Sequence, residues 1–249
     1  MRETSPYLSI VIPVYNEENR IGDTLAKVAA YLAGQPYRAE VVVVDDGSTD
    51  ATADIVRGAA AGSTGVRLLS IDHAGKGWAV RRGMLAAAGD YRLFCDADLS
   101  VPIEQIERLL PPIAPDVDIA IGSREAPGAV RPEEPWQRHL MGRIFNALVR
   151  RLVVADLGDT QCGFKCFKRG AVDDLFGLQT TGGFAFDVEI LYLARRQGLT
   201  IAEIGVDWHY GDRSKVNPAR DSLLMTRDVL LMRCRHRGGR AGRRDDRRG

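Results

Sequence analysis

The sequence predicts an α/β protein on an open, doubly wound, mostly parallel sheet, and three features predict it. Strand-like apolar runs alternate with helix-periodic segments over roughly the first 120 residues. One run, AEVVVVDDGS, holds four consecutive valines, which need cover on both faces, as in a parallel sheet between helical layers. Carboxylates and small residues gather where strands end, the edge at which such sheets bind ligands.

Each element follows in turn. YLSIVIPVY is a continuous apolar strand ending at Pro13 and Asn16. Ile21, Leu25, Val28, Ala29 and Leu32 then recur at helical spacing. The valine strand is followed by TDATADIVRGAA, a helix with Ser48 or Thr49 as its cap. VRLLSID is a third strand and GKGWAVRRGMLAAAG a third helix. YRLFCDAD is a fourth strand, IEQIERLLPPI a helix stopped by Pro111 and Pro112, and VDIAIGSR a fifth strand. After Arg124 the rhythm changes. EAPGAVRPEEPW reads as a loop, and WQRHLMGRIFNALVRRLVV as a long amphipathic helix with a basic face. TQCGFKCFKRGAVDDLF is a strand and a turn of helix, AFDVEILYLARRQG a helix, TIAEIGVDWHY a strand and RDSLLMTRDVLLMR a last amphipathic helix. The organisation expected is one domain over residues 1–232, whose half from about 125 serves an acceptor, and a disordered basic tail over 233–249.

The totals bound the function. The 249 residues are 45% hydrophobic and 27% charged, ordinary for a globular protein. The formal net charge of +1 hides an asymmetry. Eight arginines and two aspartates from Arg233 onward give the tail about +6, leaving about −5 on the body. Cys95, Cys162, Cys166 and Cys234 make no disulfide or zinc framework and are expected as thiols in a reducing compartment. The N-terminus carries no signal-peptide run, and no stretch reaches the ~20 apolar residues of a spanning helix. The expected location is cytoplasmic, peripheral on the cytoplasmic face of a membrane. No folded nucleic-acid motif accompanies the Arg-rich tail.

The chemistry collects at strand ends. Strand one ends in Pro13, Tyr15, Asn16 and Glu17, strand two in Asp45, Asp46, Gly47 and Ser48, strand four in Asp96 and Asp98, and strand five in Gly122, Ser123 and Arg124. Two carboxylates one residue apart repel unless a cation lies between them or one is protonated. All-oxygen ligands suit Mg²⁺ or Mn²⁺, which need few protein ligands when substrate phosphates complete the shell. No G-x-G-x-x-G follows strand one and no P-loop occurs, so phosphates fall to a metal and to cations such as Lys76 and Arg213.

SIVIPVYNEENRI, VVVVDDGSTDAT, GKGWAVRRGM and DADLS together resemble the family 2 glycosyltransferases of the GT-A fold. DTQCGFKCF and AFDVEILYLA narrow the resemblance to the dolichyl-phosphate β-glucosyltransferase and mannosyltransferase branch, over residues 7–217. It implies inverting transfer of a sugar from a nucleotide sugar to a polyprenyl phosphate, with Mg²⁺ or Mn²⁺. Pro13, Tyr15 and Glu17 match the nucleoside motif, and Asp45 with Asp46 the acidic group at base and ribose. Lys76 and Arg124 match positions near the donor and its phosphates. Asp96 and Asp98, with Ala97 between them, match the metal motif, Asp96 also reaching the sugar. Arg138 and Arg143 match the acceptor-phosphate site, and Arg213 with Lys215 a cationic pair on the diphosphate. Ser100 stands where mannosyl members carry Gln, within reach of the metal or its water, and Gly142 where a Ser helps hold the lipid phosphate.

A phosphate acceptor is already an anion near neutral pH, so it needs orientation rather than deprotonation. Arg138 and Arg143 would supply that through guanidinium geometry. Asp187 or Glu189 is then a sugar-hydroxyl ligand, with Asp187 as base an open alternative. Trp78, Trp136 and Trp208 are expected in the core rather than as sugar platforms, Trp208 having the best case for a platform because it precedes HYGDRSK, and His209 is expected as a partner of a polar neighbour. UDP-glucose is the expected donor. UDP-N-acetylhexosamine, GDP-mannose, a soluble or protein acceptor, and an inactive nucleotide-sugar-binding subunit stay open.

Overall fold

The computed structural model describes residues 5–62, 65–130, 156–209 and 218–236. The long basic helix expected after Trp136, Arg138 and Arg143 with it, and the Arg213–Lys215 pair lie outside the described residues.

Seven strands form one sheet: β1 (Leu8–Val14), β2 (Ala39–Asp45), β3 (Val66–Ser70), β4 (Tyr91–Cys95), β5 (Ile119–Ser123), β6 (Phe164–Lys168) and β7 (Ile201–Gly205). Their order is β3-β2-β1-β4-β6-β5-β7. All neighbours are parallel except at β6, which runs antiparallel to both β4 and β5. The chain moves outward from β1 through β2 to β3, then crosses back to place β4 on the other side of β1. Ligand crevices open at such a reversal, beyond the carboxyl ends of the strands.

The valine run does what its composition requires. Val42 and Val44 pack in one core layer, with Ala79, Val80 and Met84 of α3 (Lys76–Ala86). Val41 and Val43 pack in the opposite layer, with Ile21, Leu25 and Val28 of α1 (Ile21–Ala33) and Val56 of α2 (Thr52–Ala61). The α3 side is extended by α5 (Arg169–Phe176), α6 (Phe186–Arg196) and α7 (Pro218–His236). All four cysteines are thiols. Burial pushes those of Cys162 and Cys166 up to about 12, so neither is a nucleophile.

Local expectations shift at three places. The second helix begins at Thr52 rather than after Ser48 or Thr49, with Ala51 at its N-cap, while Asp50 Oδ1 accepts the Thr52 N–H at 3.0 Å. Ser48 and Thr49 are instead committed to Asn16 across the rim. The helix before Pro111 opens as a 3₁₀ turn, Ile103–Gln105, and only Ile106–Leu109 (α4) is α-helical. The last helix runs four residues past the expected end of the domain at Met232, to His236, whose Nε2 lies 2.7 Å from the buried Glu189.

Candidate active site

Parallel pairing brings the carboxyl ends of β1, β2 and β4 to one level, with Val14 opposite Asp45 and Val11 opposite Phe94. The loops leaving them are stitched together. Asn16, at φ 54°, donates its N–H to Ser48 Oγ at 2.9 Å and accepts the Thr49 N–H at 2.8 Å. The Glu17 N–H donates to Thr52 Oγ1 at 2.7 Å. A cavity of about 420 Å³ opens over this rim, within the size range of small-molecule sites. Of the expected donor-site residues, Pro13, Tyr15, Glu17, Asp46, Lys76, Asp96, Ala97 and Asp98 line it.

The paired aspartates sit on a tight turn after β4. The Leu99 N–H donates to Asp96 O at 3.1 Å, with Leu99 at φ 45°. The Ser100 N–H donates to Asp98 Oδ1 at 3.0 Å. From α1, Thr24 Oγ1 donates to Ala97 O at 2.5 Å and fastens the turn from below. Gly163, just ahead of β6, is required here: a Cβ at that position would stand 2.2 Å from Asp96 Oδ2. The like-charge repulsion is answered partly by protein, since Lys76 Nζ lies 2.5 Å from Asp96 Oδ1. Burial works against the Lys76 ammonium, yet Asp96 and then Asp187 hold its pKa above the ordinary value, so it stays charged at neutral pH.

Asp98 is exposed to the cavity and keeps an oxygen beyond the one used by Ser100. Among the described residues no three His, Cys, Asp or Glu side chains form a metal-binding group. Asp96 and Asp98 offer carboxylate oxygens at the cavity, hard ligands of the kind that suits Mg²⁺ or Mn²⁺ when phosphates complete the shell. Ser100 lines a small neighbouring pocket with Asp96 and Trp208, and its carbonyl accepts the His209 N–H at 2.7 Å.

Other expected residues are placed differently. Asp45 lies behind the rim, its Oδ1 accepting the Ser48 N–H at 3.1 Å. Asp46 faces the cavity while holding the loop before α3, its two oxygens accepting the Ala74 and Gly75 N–H groups at 2.8 and 2.9 Å. Arg124 does not line the cavity: its guanidinium grips Asp159 with two bonds of 2.7 and 2.9 Å and lies over the Trp208 ring. That pairing holds the buried Asp159 carboxyl well below the usual carboxylate range against the effect of burial. Asp187 is also withdrawn. It is buried and paired at 2.6 Å with Lys165, whose ammonium also donates to Cys162 O at 2.6 Å. Burial pushes the Asp187 carboxyl up, against the pull of Lys165 and Lys76. Glu189 is fully buried among protein donors and does not line the cavity.

His73 and Phe184 also line the cavity, though neither belongs to a sequence motif described above. His73 stacks on Tyr15 with ring centroids 4.2 Å apart, and its Nδ1 lies 2.9 Å from Asp46 Oδ2. Its signal was position, since it follows the third strand at the same rim. Phe184 lines the cavity from the second half of the chain, beneath the Lys76 ammonium at 5.9 Å.

A family model described as Glycosyl transferase family 2 matches residues 9–176. The dolichyl-phosphate beta-glucosyltransferase of Drosophila melanogaster is 39% identical, covering 94% of this chain and 77% of that protein. Among solved structures, mannosyl-3-phosphoglycerate synthase from Rubrobacter xylanophilus superimposes with a TM-score of 0.71 at 20% identity, covering 98% of this chain and 78% of that one. Glucosyl-3-phosphoglycerate synthase from Mycobacterium tuberculosis, in complex with Mn²⁺, UDP-glucose and phosphoglyceric acid, gives 0.65 at 21% identity, covering 97% and 82%. The fold is the GT-A fold of these synthases. The chain belongs to glycosyl transferase family 2 and is a glycosyltransferase.

Proposed function

We propose that the chain transfers glucose from UDP-glucose to a polyprenyl phosphate, with inversion at the anomeric carbon. The observation that carries this is the Asp96–Ala97–Asp98 turn at the β1/β4 crevice, with Lys76 at 2.5 Å from Asp96. The printed name of the Drosophila relative supports the acceptor, and the UDP-glucose in the Mycobacterium tuberculosis complex supports the donor. A phosphate oxygen of the acceptor attacks the anomeric carbon, the bond from that carbon to the diphosphate oxygen breaks, and UDP leaves with the electron pair.

Pro13, Tyr15 and Glu17 hold the nucleoside, with Asp46 beside them. Lys76 meets the negative charge that grows on the leaving diphosphate, a preorganised cation in a partly enclosed site. Asp96 and Asp98 would hold Mg²⁺ or Mn²⁺, which supplies Lewis-acid neutralisation of the diphosphate. Arg124, Arg213 and Lys215 remain candidates for the phosphates, and Arg138 with Arg143 for the acceptor. No base is required, which agrees with an Asp187 already paired to Lys165. No described helix is long and apolar enough to cross a membrane. In this reading the chain meets a lipid acceptor at the membrane surface, aided by the Arg-rich tail on an anionic cytoplasmic face.

The test is a donor screen with Mn²⁺ or Mg²⁺ and a short polyprenyl phosphate, following the charged lipid by mass. Hexose-phosphate-lipid from UDP-glucose is the expected product. Product from another nucleotide sugar would replace the donor, and transfer only to a soluble phosphate such as phosphoglyceric acid would replace the acceptor.

A further inference from the structure

Glu189 lies on α6, two residues after Asp187, with no exposed surface. A buried carboxylate persists only where donors surround it. Its oxygens accept the Thr180 N–H at 3.1 Å, Thr180 Oγ1 at 2.6 Å and the Thr181 N–H at 2.8 Å. The remaining donor is His236 Nε2 at 2.7 Å, from the last residue of α7. Burial pushes the Glu189 carboxyl up, and the bonds from Thr180, His236 and Thr181 outweigh it, leaving the group ionised at neutral pH.

What these bonds hold is a wall of the cavity. The segment from Gln179 to Phe184 lies against the first turn of α3. Gln179 Nε2 donates to Gly77 O, and the Gly77 N–H donates to Gly182 O, both at 2.8 Å. The approach is so close that a Cβ on Gly77 would meet Thr181 O at 2.7 Å, and one on Gly75 would meet Gly182 O at 2.7 Å. Lys76 stands between these two glycines. Gly183 and Phe184, next along the segment, line the cavity.

We propose that Glu189 is a positioning residue: with His236 it pins the Gln179–Phe184 wall onto the first turn of α3, and so sets Lys76 and Phe184 against the donor. The ligand half of this rests on the proposed reading of the cavity as the nucleotide-sugar site. The wall half does not.

The experiment compares the full-length wild type with Glu189→Gln, His236→Leu and His236→Gln. Backbone hydrogen exchange is read in peptides covering 75–79 and 180–184, which reports local opening. UDP-glucose affinity is read by calorimetry with Mn²⁺ present. Glu189→Gln and His236→Leu are expected to speed exchange in both peptides and to weaken binding by about tenfold, while the rest of the protein exchanges as before. His236→Gln keeps a donor and is expected to restore both readouts, which a general loss of packing would not allow. Unchanged exchange in these peptides, or faster exchange with unaltered affinity, would overturn the inference. A wild type that fails to bind UDP-glucose would instead sink the proposed function, and the ligand half with it. His236→Leu guards against a Glu189 variant that does not fold, since His236 is only partly buried.

Discussion

The two halves of the molecule treat charge in opposite ways. In the first half, Asp46, Asp96 and Asp98 are steadied largely by backbone N–H groups and one lysine, and they face the cavity. In the second half, Asp159, Lys165, Asp187 and Glu189 are buried and paired with other side chains or loop amides. Asp96 and Asp98 keep carboxylate oxygens at the cavity, whereas Asp159 and Asp187, locked in interior ion pairs, are spent on shape. The first half presents chemistry, and the second holds the wall and turn that frame it.

The largest effects come from removing the presented charges. Asp98→Asn and Asp96→Asn should each lower transfer by roughly 10²–10³-fold or more, with the folded state intact by circular dichroism. Asp187→Asn should keep measurable turnover. Equal loss of kcat in all three would erase the contrast between the halves.

The buried pairs should answer in stability. Lys165→Met leaves Asp187 without its partner, and an orphaned buried charge destabilises by about 3–5 kcal/mol. Urea midpoints measure this, and pairing Lys165→Met with Asp187→Leu should recover much of the loss. A single variant as stable as wild type would show that the pair is not structural.

The same contrast has a pH form. Asp159 and Glu189 both have folded-state pKa values below their unfolded ones. Their stabilisation is fully present above the unfolded carboxylate values of ~4. It is lost as pH falls through the lower folded values. Thermal melts should therefore be flat in these contributions from neutral pH to about 5 and fall below that. Asp159→Asn should shrink the acid-dependent drop, and an unchanged drop would refute the assignment.

The smallest expected effect lies where the halves of the rim are tied. Thr24→Val removes the bond to Ala97 O and should cost about 1 kcal/mol, with a modest rise in KM for the donor. A change in kcat alone would point away from turn positioning.

Much of the first half was legible in the sequence because its signals are local. Unbroken Val and Ile runs announce strands covered on both faces, and Asp-x-Asp after such a run announces a rim. Both kinds of signal survive without knowing the neighbours. The second half depends on partners far away in the chain. Lys165 reads as one basic residue in a strand, and nothing near it shows that Asp187 will lie 2.6 Å away. Glu189 and Asp187 look alike in FDVE, yet one is held by Thr180, Thr181 and His236 and the other by Lys165. The reversal of β6 was equally silent, since strand composition carries no direction.

That reversed strand has a consequence for how such a protein diversifies. β5 ends at the ligand rim with Ser123, and β6 begins at the same rim, with Phe164 beside Cys95. β5 therefore ends, and β6 begins, at the same edge of the sheet. Lengthening a loop between fixed ends costs little, about 0.6 kcal/mol per doubling. An insertion or exchange between these two strands falls outside the pairing of all seven. A segment exchanged there would join two strand ends at one edge of the sheet, and the Asp96–Asp98 turn would keep its own bonds to Thr24 and Ser100.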